Sequence, residues 1–187
     1  MEHSRTAEPS RCAEPVPVAP NFSSARIRSC FSRGMLPARP PRLQRFAYRG
    51  PHRYFVTCCV AQRIHVFTNP DVILSVQAQL VRTAAERSFS ILAYCFMPDH
   101  WHGLVEGTRP DADFRAFMKC FRQRAAVSCP AESCNRLWQP GYFERALRVE
   151  EATPDVMAYI LDNPVRAGLV ERRKDHPYSW CAHGFEL

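Results

Sequence analysis

Lysine is nearly missing from this chain: Lys119 and Lys174 are the only two among 25 cationic side chains. The net charge of +7, with a pI of about 9.1, is therefore carried almost wholly by arginine. Guanidinium forks hold phosphate bidentately and stack on bases, so this surplus points toward nucleic acid. A basic surface without an anionic partner is the plain alternative. Also missing is any Cys-x-x-Cys pair among the nine cysteines, Cys12, Cys30, Cys58, Cys59, Cys95, Cys120, Cys129, Cys134 and Cys181. That excludes a zinc ribbon. The count is odd, and Cys58, Cys59 and Cys95 stand in apolar runs where a thiol behaves as a small hydrophobe, as expected of a reduced, intracellular protein. No run approaches the ~18 consecutive apolar residues of a membrane span. Charges and prolines occupy the N-terminus where a secretory segment would be apolar. The expectation is a soluble, cytoplasmic protein without a membrane partner.

What is present suits one packed domain with a tail. Hydrophobic residues make up 46% of 187, with twelve Phe, enough for a core of ordinary size. Residues 1–45 are rich in Pro, Arg, Ser and Ala without period and are expected to be disordered. They read either as a basic arm on DNA or as an extension ahead of a start at Met35. The domain is expected over 46–180, with a short tail over 181–187.

The Tyr54–Val60 run, β-branched and aromatic, reads as a buried strand. Asn69-Pro70-Asp71 opens a helix on which Val72, Ile73, Val76, Leu80 and Ala84 recur at helical spacing. Ser90–Met97 is a second strand, stopped by Pro98-Asp99, and His102–Glu106 a third, close enough to be its antiparallel neighbour. A second helix spans Asp111–Ser128, apolar at Phe114, Phe117, Met118, Phe121 and Ala125, and basic at Arg115, Lys119 and Arg122. Tyr142–Val149 reads as a fourth strand, and Pro154–Asp162 as a last helix ended by Asn163-Pro164. The order β-α-β-β-α-β predicts an α+β, ferredoxin-like sandwich: an antiparallel sheet with two helices on one face, followed by a C-terminal helix.

Two clusters carry candidate chemistry. In His100-Trp101-His102 strand alternation points both imidazoles to one face and the indole into the core, so the pair is able to share a metal ion. Such pairs are also common as ordinary strand residues, and imidazole alone does not name the metal. Tyr159 and Asn163 lie four apart on the last helix, on a single face. Trp138 and Tyr142 either stack on unpaired bases or close the core.

Three segments resemble one family: Phe96-Met97-Pro98-Asp99-His100-Trp101-His102, Leu137-Trp138-Gln139-Pro140-Gly141-Tyr142-Phe143-Glu144, and Tyr159 through Val170 (YILDNPVRAGLV). They look like motifs of the HUH-type single-tyrosine transposases, in particular the REP-associated tyrosine transposases of bacteria. The similarity runs from about Arg42 to Trp180. It implies a C-terminal helix bearing the nucleophile Tyr159, metal ligands His100 and His102, a third ligand Asn163, and Mg²⁺ or Mn²⁺ as cofactor. It further implies single-stranded or hairpin DNA from palindromic repeats as partner, nicking and strand transfer through a 5′-phosphotyrosine, and a monomer or a homodimer that swaps the nucleophile helix. Candidate DNA contacts are Arg115, Lys119, Arg122, Arg145, Arg148 and Arg166, the last three also candidates to favour the phenolate of Tyr159. The competing readings are a replication or conjugation nickase, a hairpin-binding protein without chemistry, and a metal-dependent phosphohydrolase that would not need Tyr159.

Overall fold

A computed structural model describes residues 46–130, 136–148 and 153–182. The Pro/Arg-rich segment expected over 1–45, most of the 181–187 tail, and part of the Arg148–Asp155 connection lie outside these residues. The strands are β1 (Arg53–Cys59), β2 (Phe89–Met97), β3 (His100–Gly107), β4 (Phe143–Ala146) and β5 (Ser179–Cys181). The helices are α1 (Pro70–Glu86), α2 (Phe114–Ser128) and α3 (Thr153–Leu161). A short helical turn, α4 (Asn163–Arg166), follows α3.

The sheet runs β4-β1-β3-β2-β5, every pair antiparallel. Its first four strands follow the expected sandwich order, and β5 is an addition that the sequence did not announce. Only three residues long, β5 is too short for alternation to register. It carries the sheet to Cys181, one residue past the expected domain boundary. The fourth strand is shorter than expected, ending at Ala146.

Local chemistry sets the helix ends. The Asn69 side chain accepts from the Asp71 amide at 2.9 Å with Pro70 in the first turn, and Asp113 accepts from the Ala116 amide at 2.9 Å. These caps satisfy amides that have no partner inside the helix. The second cap starts α2 at Phe114, three residues after the expected start.

One face of the sheet is the apolar core. Tyr54, Val56, Cys58, Tyr94, Phe96, Trp101 and Val105 pack there against Ile73, Val76 and Leu80 of α1 and Phe114, Phe117 and Phe121 of α2. A register shift between Ile91 and Ala93 lets Phe89 and Ile91 join this face ahead of the shift and Tyr94 and Phe96 after it, as a bulge does. Gly103 leaves room for Trp101: a Cβ there would lie 2.3 Å from the indole ring. The opposite face holds the alternate residues Phe55, Thr57, His102 and Leu104, with α3 packed over β2 and β3. The C-terminal helix thus lies across the sheet from α1 and α2.

Candidate active site

His100 and His102 stand on that second face, at the start of β3. Trp101 between them is fully buried in the core, as alternation demands. Their Nε2 atoms converge to 3.0 Å, and each Nδ1 is held from behind. The Nδ1 of His102 lies 2.9 Å from the Thr57 hydroxyl, its cross-strand neighbour, and that of His100 lies 2.5 Å from Asp99 Oδ1. Asp99 in turn meets Arg63 at 2.8 Å through its other oxygen. The chain Arg63, Asp99, His100, His102, Thr57 therefore fixes both rings with their Nε2 edges facing one point.

The His100 side chain is 12% exposed and His102 only 1%, so the point opens to solvent on the His100 side. Burial, with the charges of His100, Arg166 and Arg63, holds the His102 pKa well below the usual imidazole value. His102 is thus neutral, the form that ligates metal. For Asp99, burial opposes ionisation, but the hydrogen bond and charge of His100 and the charge of Arg63 outweigh it and hold the carboxyl below its ordinary range. A carboxylate behind Nδ1, as Asp99 stands here, is the arrangement seen behind metal-bound histidines.

These residues fit a hexacoordinate cation. Two nitrogens ~2.1 Å from one octahedral ion and at ~90° to each other lie ~3.0 Å apart, the separation observed here. Among the described residues no third His, Cys, Asp or Glu joins them. The remaining positions would fall to amide, water or phosphate oxygens, which suit Mg²⁺ or Mn²⁺.

Tyr159 reaches this face on α3. Phe55 bridges the two clusters: its ring lies 5.7 Å from that of His102 and 6.0 Å from that of Tyr159. Asn163 opens α4, one turn on. Its amide nitrogen donates to the carbonyls of Tyr159 and Ile160, and its Oδ1 accepts from Arg166 at 2.8 Å. The Arg166 guanidinium also lies over the Tyr159 ring, 4.1 Å from its centroid, and donates to the Tyr159 carbonyl at 3.2 Å.

The other predicted residues divide. Arg145 stands opposite Phe55 in the β1–β4 register and so shares the histidine face. Arg148 follows β4, its carbonyl accepting from Arg53 at 3.2 Å. Arg115, Lys119 and Arg122 are not brought to the histidines, because α2 covers the opposite side of the sheet. Arg115 lies over the Tyr48 ring, and Arg122 donates to the Gln139 carbonyl and sits over Tyr142. Trp138 closes the core, 5% exposed, with its indole N–H on the Arg122 carbonyl, and Tyr142 packs partly buried against the same cluster. Sequence reasoning missed Thr57 and Arg63. Thr57 meets His102 only through strand register, which no local motif reports; Asp99, by contrast, directly precedes His100.

Residues 51–163 match the family described as "Transposase IS200 like". The chain belongs to this transposase family. A Haemophilus influenzae protein assigned to the REP-associated tyrosine transposases is 28% identical over 137 residues, covering 67% of this chain and 77% of that one. The REP-associated tyrosine transposase of Escherichia coli is 29% identical over 112 residues, covering 57% of this chain and 66% of its own. A solved REP-associated tyrosine transposase bound to a REP hairpin shares the fold at a TM-score of 0.62 and 20% identity, over 79% of this chain and 95% of that one. Resemblance, family and fold therefore agree. No helix among the described residues is long and apolar enough to cross a membrane.

Proposed function

We propose that this transposase nicks and rejoins single-stranded DNA at a repeat hairpin, with Tyr159 as nucleophile and His100 and His102 as ligands of Mg²⁺ or Mn²⁺. The observation that carries the reading is the convergence of two Nε2 atoms on the sheet face that α3, with Tyr159, covers. A bound divalent ion would supply charge stabilisation at the scissile phosphate. The hairpin partner is inferred from family membership and from the fold shared with the hairpin-bound relative.

Tyr159 Oη gives up its proton to water and attacks phosphorus in line, and the bond from phosphorus to the 3′ oxygen breaks. The strand is left with a 5′-phosphotyrosine on the protein, and the departing 3′ oxygen takes up a proton as a free hydroxyl. The phosphodiester energy is retained, so another strand's 3′-hydroxyl can reverse the step. Free phenol ionises near pH ~10. Positive charge near the phenol, from Arg145 or Arg166 on this face, favours the phenolate as attack proceeds. Arg145, on the same face, is the second arginine proposed to meet the DNA backbone.

The test is incubation with labelled hairpin oligonucleotides from the gene's own flanks, in Mn²⁺ or in EDTA, read on a denaturing gel. The reading requires an adduct that disappears with EDTA, with His100→Ala and with Tyr159→Phe. Binding without any adduct would make the protein a hairpin binder. Cleavage surviving Tyr159→Phe would make it a phosphohydrolase.

A further inference from the structure

Among the described residues, the Arg166 guanidinium contacts only Tyr159 and Asn163, the two residues of α3 and α4 that the nicking reading uses. Its guanidinium covers the ring of Tyr159, donates to the Tyr159 carbonyl, and donates to Asn163 Oδ1. The third contact matters most. The amide nitrogen donates to the carbonyls of Tyr159 and Ile160, which fixes the amide's orientation, and Oδ1, the one amide atom with lone pairs for a metal, accepts from Arg166. An amide oxygen bonded to guanidinium at 2.8 Å has its electron density turned toward a fixed positive charge, and a cation sharing that oxygen would meet that charge at close range.

Arg166 is exposed and lies in a four-residue turn, so little packing holds it there. Its charge also reaches His102. A DNA phosphate arriving at this face is the stronger acceptor, since charge-assisted bonds from arginine to phosphate exceed those to a neutral amide.

We propose that Arg166 is a positioning residue that couples the metal to the DNA: in the free protein it masks Asn163 Oδ1, and on transfer to a DNA phosphate it releases that oxygen to the ion. This rests on the functional reading above. The ion is held weakly until the substrate is present and then gains both a ligand and relief from a neighbouring positive charge. Coupling of this kind is reciprocal, so DNA tightens the ion as much as the ion tightens DNA.

The experiment titrates Mn²⁺ by electron paramagnetic resonance on the full chain in a Tyr159→Phe background, where the ring remains and no chemistry occurs. It is run with and without a hairpin oligonucleotide from the gene's flank. Without DNA, Arg166→Gln is expected to bind Mn²⁺ on the order of fivefold more tightly than its parent, the lower end of ordinary coupling between sites. Adding Asn163→Ala should erase most of that gain. Arg166→Lys, which keeps the charge but loses the fork, should fall between. The oligonucleotide should tighten Mn²⁺ for the parent and change it little for Arg166→Gln.

Equal Mn²⁺ affinity for parent and Arg166→Gln, or a gain that survives Asn163→Ala, would overturn the proposal. Failure of the underlying reading looks different: Mn²⁺ binding would then be indifferent to His100→Ala and His102→Ala. Circular dichroism melts on each variant separate misfolding from either outcome.

Discussion

The two faces of the sheet are made by the same strands and behave as different materials. Toward α1 and α2, alternate residues of β1 and β3 supply Tyr54, Val56, Cys58, Trp101 and Val105, all but fully buried and interlocked with phenylalanines. Toward α3, the intervening residues supply Thr57, His100 and His102, whose polar atoms are joined in one network. The first face gains from removing apolar surface from water. The second gains little from burial and instead holds nitrogen atoms to a chosen separation. A single tripeptide, His100-Trp101-His102, serves both, because successive side chains of a strand point opposite ways. Substitutions on one face should therefore cost stability and on the other chemistry.

The largest separation comes from Tyr159→Phe, expected to abolish the protein–DNA adduct while changing unfolding free energy by less than about 1 kcal/mol. Adduct gels and urea melts on the same preparation measure both. Across the sheet, Trp101→Ala is expected to cost about 3–5 kcal/mol and Gly103→Ala about 1–3 kcal/mol, since the added Cβ collides with the indole. If either left stability intact, the division between faces would fail. Thr57→Val, which removes the support behind His102, should lower Mn²⁺ affinity roughly tenfold with a minor effect on the melt.

A pH series sharpens the same contrast. His102 is neutral in the folded chain because its pKa is depressed, whereas in the unfolded chain it takes up a proton below about pH 6.5. The unfolded state then binds more protons, so stability present above that pH is lost as pH falls. In EDTA, urea melts should show a loss of about 1 kcal/mol between pH 7.5 and 5.5 that shrinks with His102→Gln. Last, burial pushes the thiols of Cys58 and Cys95 up to about 12. Iodoacetamide at pH 8, followed by peptide mass mapping, should label the partly exposed Cys120 well before either.

What the sequence made legible was whatever repeats at short range. Period-3.6 apolar residues marked α1 and α2, alternation put Trp101 inward and both histidines outward, and Asn69-Pro70 marked a helix start. What it hid depends on pairing between distant segments. Thr57 becomes the partner of His102 because β1 and β3 align in one register, and β5 exists because Ser179–Cys181 meets Ala93–Cys95 of β2. The Arg115, Lys119 and Arg122 stripe is legible as a helix face. Which side of the sheet that helix covers is a tertiary fact, and it separates the stripe from the histidines. Trp138 and Tyr142 look equally suited to bases or core; burial decides for the core at Trp138, while Tyr142 is only partly buried against it.

The most direct test of the account is peptide mapping by mass spectrometry of the covalent species formed with a hairpin oligonucleotide in Mn²⁺. The account predicts a nucleotide remnant on the peptide spanning α3, attached to Tyr159 through a 5′ phosphate. A remnant on another tyrosine, such as Tyr142 or Tyr178, or a 3′ linkage, would contradict it.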